Sequence, residues 1–117
     1  MSIGISVQTQ AEMMFVSLTG ELDQMTADQV KLRLMTAMIA HEIKHIVFNL
    51  KELTFMDSSG IGIILGRYNQ VKEAGGKVFV VGMNPTVDKV FHLSGLNQLI
   101  TVIDDEQQMM HILEEAI

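Results

Sequence analysis

His45-Ile46-Val47-Phe48-Asn49-Leu50 is the stretch on which the fold turns. Its apolar residues run on without alternating, and Ile46 and Val47 are β-branched. That pattern reads as a central strand covered on both faces, as in a parallel sheet. Before it, Thr26 opens a helix. Thr26 and Gln29 have the spacing of a capping box, Met25 and Val30 that of a hydrophobic staple, and Val30, Leu34, Ala37 and Met38 give one apolar face. After it, a second helix follows Asp57, with Ile61, Ile64, Leu65, Tyr68 and Val71 on one side, and ends at Gly75-Gly76. Lys77-Val78-Phe79-Val80-Val81 is another buried strand. Asn84 caps a third helix with Pro85 at its first position, and Gly95 closes it. Ile100–Ile103 makes a short strand, and Asp104 with Gln107 forms a capping box for a fourth helix burying Met109, Ile112, Leu113 and Ala116. At the other end, Ile3, Ile5 and Val7 alternate with small or polar residues, a turn falls near Gln10-Ala11-Glu12, and Phe15-Val16-Ser17-Leu18 returns as the second strand of a hairpin. Past the hairpin, helices and strands alternate. The fold class is therefore α/β, with right-handed crossovers onto a mixed, mostly parallel sheet of about five strands with about four helices.

The 117 residues, with no repeat or linker and one proline, form one domain spanning 1–117. No cysteine is present, which excludes thiol catalysis, iron–sulfur clusters and cysteine zinc sites. With 14 acidic against 8 basic residues the net charge is −6, so the basic footprint of a nucleic-acid binder is missing. A mean hydropathy of +0.29 is high. Yet the longest apolar runs, Ile61–Leu65 and Val78–Val81, fall far short of the roughly 20 residues that span a bilayer. Met1-Ser2-Ile3-Gly4 lacks the basic start of a secretion signal. The expected setting is cytoplasmic, without membrane or nucleic-acid partners.

The sharpest chemical signal is Phe55-Met56-Asp57-Ser58-Ser59-Gly60-Ile61-Gly62, at the entrance of the second helix. Asp and Ser are ordinary helix-start residues, and N-capping alone would account for them. Three glycines, Gly60, Gly62 and Gly66, go further than capping, since each weakens a helix interior by about 1 kcal/mol against alanine. Ser58, Gly62 and Gly66 recur every four residues, leaving a smooth stripe on which another surface could lie. A helix N-terminus also accommodates phosphate. The phosphate-loop and dinucleotide fingerprints fail, and a hydrolase elbow would need glycine at Met56 or Asp57. No catalytic set assembles, and no cofactor is implied. His41-Glu42-Ile43-Lys44-His45 matches the zinc-protease signature letter for letter, but the strand beginning at Ile46 truncates the helix that would have to carry both imidazoles. It reads as a chance match at a helix end. The ten methionines fall mostly among core positions, and Asp104-Asp105-Glu106 and Glu114-Glu115 read as solvated helix ends.

Leu18-Thr19-Gly20-Glu21-Leu22-Asp23, Asn49-Leu50 with Phe55-Met56-Asp57-Ser58-Ser59-Gly60, and Gly75-Gly76-Lys77 leading to Leu93-Ser94-Gly95-Leu96 resemble the anti-sigma factor antagonist family, the bacterial end of the STAS domains. The resemblance covers nearly the whole chain, and the run from Met56 to Tyr68 is its most specific part. It implies a partner switch. The unphosphorylated antagonist binds an anti-sigma factor that is also a serine kinase, so freeing a sigma factor; phosphorylation ends binding, and a serine phosphatase resets the protein. The family's phosphorylation site, the serine directly after the aspartate, corresponds to Ser58. The implied partner surface comprises Asp23, Asp57, Ser58, Ser59, Gly60, Gly62 and Gly66, with Asp57 presenting Ser58 and the glycines keeping the surface flat. Where many members carry an aspartate in the preceding strand, this chain has Asn49. Two other classes compete: a nucleotide-binding regulatory module, with material only at Ser58 and Thr19-Gly20, and a STAS component of a larger stress-signalling assembly.

Overall fold

Strand β3, His45–Met56, lies third in a five-stranded sheet whose strands follow one another in chain order. The structure is a computed structural model that describes residues 2–104, 107, 108, 111, 114 and 115. β1 (Ile3–Gln10) and β2 (Met13–Leu22) form the antiparallel hairpin, while β2, β3, β4 (Val78–Val81) and β5 (Thr101–Ile103) run parallel. Along β3, Ile46, Phe48 and Leu50 join one core cluster and Val47 joins another. Because side chains alternate across a strand, the two clusters lie on opposite faces, so the unbroken apolar run of β3 is buried on both sides.

Helices α1 (Ala27–Ala40), α2 (Ser58–Glu73) and α3 (Pro85–Leu93) share the larger cluster, through Val30 and Leu34, Ile64 and Val71, and Val87 and Phe91. Three successive parallel crossovers of one hand, stepping one way along a sheet, place their helices on one face. A 3-10 turn at Leu96–Gln98 leads into β5. The fold is thus a single α/β domain, with three bounded helices among the described residues rather than about four. Of the fourth, Gln107, Gln108, His111, Glu114 and Glu115 are helical. Its expected core positions Met109, Ile112, Leu113 and Ala116 lie outside the described residues. Its capping reach-back comes from Gln108 rather than Gln107, with Asp104 N–H donating to Gln108 Oε1 at 3.1 Å.

β2 and β3 outrun their expected ends at Leu18 and Leu50. β3 continues past Leu50 to Met56 because β2 pairs with it throughout, as far as Leu22 opposite Met56, with register shifts at Ser17/Thr19 and Gly20/Glu21. The charged Lys51-Glu52 hid that extension, since both are exposed. The start of α1 also differs. Thr26 has helical backbone angles and makes no side-chain cap, so no capping box forms with Gln29. Met25 is 79% exposed, which leaves Val30 without its staple. Asn84, in contrast, caps α3 as expected by accepting from Val87 N–H at 2.8 Å, and Gly95 takes the left-handed conformation (φ 83°) that ends the segment.

Gly60 belongs to this core and not to the outer surface. It is buried, and a Cβ there would come within 2.5 Å of Met56 Cγ and 2.9 Å of Leu22 Cδ2. Its place among the docking glycines is thereby corrected: the missing side chain lets α2 settle onto the ends of β2 and β3. Gly60→Ala is expected to lower stability by about 1–3 kcal/mol, the usual range for overpacking. Gly62→Ala, where a Cβ meets nothing within 4 Å, should leave stability unchanged or slightly raised. Parallel urea titrations of the two variants check the contrast.

Candidate functional site

Because β2 and β3 are parallel neighbours, their C-terminal ends meet and their following loops lie side by side. Crevices beyond the carboxyl ends of parallel strands are where α/β sheets commonly bind ligands. Asp57 N–H donates to Leu22 O at 3.2 Å and ties the two loops together. Asp57 is the N-cap of α2: its backbone is extended and its Oδ1 accepts from Ser59 N–H at 2.8 Å. That bond fixes the first turn and sets Ser58 as its first helical residue. Ser58 is exposed, and its hydroxyl makes no hydrogen bond among the described residues.

The neighbouring loop is held by Asp23, only 6% exposed. Asp23 Oδ1 accepts from the N–H groups of Met25 (2.8 Å) and Thr26 (3.0 Å). Thr26 Oγ1 accepts from Asp23 N–H at 3.0 Å and donates to Glu21 O at 2.8 Å. Asp23 and Thr26 therefore close one reciprocal turn that starts α1. Asp23 thus lies in the loop beside Ser58, with Oδ1 committed to this turn and Oδ2 enclosed without a hydrogen-bond partner. What the turn holds outward is Met25, while Phe55, opposite Glu21 in the sheet, is 41% exposed on β3. In the sequence Met25 reads as half of a staple and Phe55 as the first residue of the serine motif, and neither reads as an exposed apolar surface.

From Ser58 the surface runs along α2 into a groove of about 520 Å3 between α1 and α2. Ser59, Gly62, Ile63, Gly66 and Arg67 line one wall, and Gln24, Ala27, Asp28 and Lys31 the other. A Cβ at Gly62 or Gly66 would meet nothing within 4 Å, so neither glycine is required by packing inside the domain. Ser58, Ser59, Gly62 and Gly66 are thus brought together on one surface, with Asp57 supporting it. Arg67 escaped notice in the sequence. The available signal was its place one turn beyond Ile63, in the row Ser59-Ile63-Arg67.

The remaining candidates lie elsewhere. His41 is the C-cap of α1 and His45 opens β3, so the matching pentapeptide spans a helix end, a loop and a strand, not one helical face. Among the described residues no group of three or more His, Cys, Asp or Glu side chains is placed to hold a metal. His45 Nδ1 accepts from Lys77 N–H at 3.0 Å. Burial, then the charges of Lys44 and Lys77, hold its pKa below the ordinary value of 6.5, with Glu12 opposing. The unfolded chain therefore takes up this proton first, and the stability held by neutral His45 is present above about pH 6.5 and lost as pH falls through the lower folded value. Thermal melts from pH 7.5 to pH 5 are expected to decline less steeply for His45→Gln than for the parent chain. Asn49 sits mid-strand and its Oδ1 accepts from Lys51 N–H at 3.0 Å, an acceptor role that a carboxylate could also fill. No helix among the described residues is long and apolar enough to cross a membrane.

These features define a small α/β module that displays one serine at a helix start beside an open groove. The chain belongs to the STAS domain family, whose pattern matches residues 4–109. It is 38% identical over 114 residues, 97% of each chain, to an anti-sigma F factor antagonist of Paenibacillus polymyxa. The fold is that of SpoIIAA: the unphosphorylated form of that anti-sigma factor antagonist superposes with a TM-score of 0.82 at 29% identity, covering 95% of this chain and 97% of the other. The phosphorylated form of the Bacillus cell fate determinant SpoIIAA matches with a TM-score of 0.73 at 29% identity, covering 93% and 99%.

Proposed function

We propose that the protein is an anti-sigma factor antagonist controlled by phosphorylation at Ser58. In this reading the unphosphorylated chain binds an anti-sigma factor that is also a serine kinase, and so releases a sigma factor. The kinase transfers phosphate from ATP to Ser58, binding ends, and a serine phosphatase restores the first state. The carrying observation is the presentation of Ser58: exposed and unbonded among the described residues, yet fixed in place by the Asp57 cap. The chain acts as ligand and substrate. Asp57 positions the serine, Ser59, Gly62 and Gly66 supply the contact surface, and Asp23 holds the loop that carries Met25 beside it. The close relation to an anti-sigma F factor antagonist supports the same reading. The test mixes the purified chain with the anti-sigma factor kinase of its own organism. A complex without ATP that dissociates as ATP is consumed, together with a singly phosphorylated chain by intact mass, is the expected result. Absence of a complex under either condition overturns the proposal.

A further inference from the structure

We propose that the groove between α1 and α2 receives a carboxylate side chain of the bound protein partner, gripped by the guanidinium of Arg67 with Lys31 in support. The inference rests on the partner-binding reading above. Arg67 Nε and Nη1 are enclosed without a hydrogen-bond partner, and the side chain forms no ion pair among the described residues. An enclosed cation without partners is unfavourable, and here burial alone accounts for a guanidinium pKa below its usual value, with no carboxylate countering it. Asp28 lines the same groove but lies beyond ion-pair distance of both Arg67 and Lys31. The chain has only 8 basic residues against 14 acidic ones, and two of the 8 converge on this groove. The local charge is therefore opposite to that of the molecule. Gly62 and Gly66 leave the space beside Arg67 open. That space gives the guanidinium room to donate the paired N–H groups of its planar fork to both oxygens of a carboxylate. The groove continues the surface that begins at Ser58, so one partner can reach both.

Calorimetric titration against the anti-sigma factor kinase compares the parent chain with Arg67→Met and Arg67→Lys. Arg67→Met is expected to weaken binding about thirtyfold or more, as loss of one member of an enclosed charge pair does. Its melting temperature should hold or rise, because an uncompensated cation has been replaced by an apolar side chain of similar length. Arg67→Lys should fail to restore full affinity, since an ammonium offers no fork. Replacing each Asp and Glu of the kinase by its amide should reveal one acid whose loss weakens the parent complex but not the Arg67→Met complex. Parent binding that survives Arg67→Met overturns this inference and leaves the proposed function standing. No binding by the parent chain overturns the proposed function instead. A second measurement stands apart from the kinase: acetate added to the 15N-labelled chain should shift the Arg67 Nε–H resonance saturably. No shift overturns the inference, and a stronger response to inorganic phosphate overturns the carboxylate assignment in favour of a phosphoryl ligand.

Discussion

Ser58→Ala will incorporate no phosphate when incubated with the anti-sigma factor kinase and ATP, and will remain bound where the parent chain is released. The expected loss is complete, because the acceptor oxygen itself is removed. Little else changes. Ser58 is exposed and its hydroxyl makes no hydrogen bond among the described residues, so alanine leaves no partner unsatisfied. Alanine is also well tolerated in a helix, and the cap does not depend on this side chain, since Asp57 Oδ1 bonds the Ser59 N–H. Stability should move by less than about 0.5 kcal/mol, the usual range for a surface change. Intact-mass spectrometry with peptide mapping checks the result. Phosphate found on Ser59 in the variant would sink the assignment, because Ser59 is only half-buried beside Ser58 and offers the nearest alternative hydroxyl.

Phosphorylation of Ser58 is expected to weaken partner binding more than a hundredfold without refolding the domain. The modification adds about −1.5 to −2 charges and three acceptor oxygens. A helix start ordinarily stabilises such a group by about 0.3–1 kcal/mol through the macrodipole and free N–H groups. Here the free donors are fewer than a bare helix end offers. Ser59 N–H is bonded to Asp57 Oδ1, and the Gly60 and Ile61 N–H groups are bonded to Asp57 O at 3.1 and 3.2 Å. The Asp57 carboxylate and the net charge of −6 oppose the gain, so domain stability should shift by no more than about 1 kcal/mol in either direction. At the interface the terms do not cancel. A doubly charged group pressed into a close contact without prepared donors costs several kcal/mol, and a loss of about 3 kcal/mol is already more than a hundredfold in affinity. Amide NMR spectra of both forms provide the measurement. Shifts confined to the Asp23–Met25 loop and the first turns of α2 would support a local switch; changes spreading through α1 and β4 would refute it.

Element identity was legible in the sequence wherever a local signal and the global fold agreed. The apolar run of β3, the hairpin alternation, the Asn84-Pro85 start of α3 and the glycines after α2 each act within a few residues, and the structure places each as read. Asp57 capping follows from the same short-range logic. What the sequence could not decide depended on which of several possible partners a residue takes in the fold. Thr26 and Gln29 have capping-box spacing, but Asp23, three residues upstream, claims the Thr26 hydroxyl and supplies its own carboxylate to the turn. The full length of β3 came from its pairing with β2 and not from its own composition. Gly60, Gly62 and Gly66 look alike in one dimension, yet α2 turns Gly60 onto Leu22 and Met56 and leaves the other two facing open space. Arg67 stands out only in the folded chain, where it lines the groove between α1 and α2 and two of its guanidinium nitrogens are enclosed without a partner. The Asp57 and Asn84 caps and the strand alternation are fixed by neighbours in the chain, so the sequence by itself determines them. Burial and charge balance depend on every element packed around a side chain, and only the tertiary structure decides those.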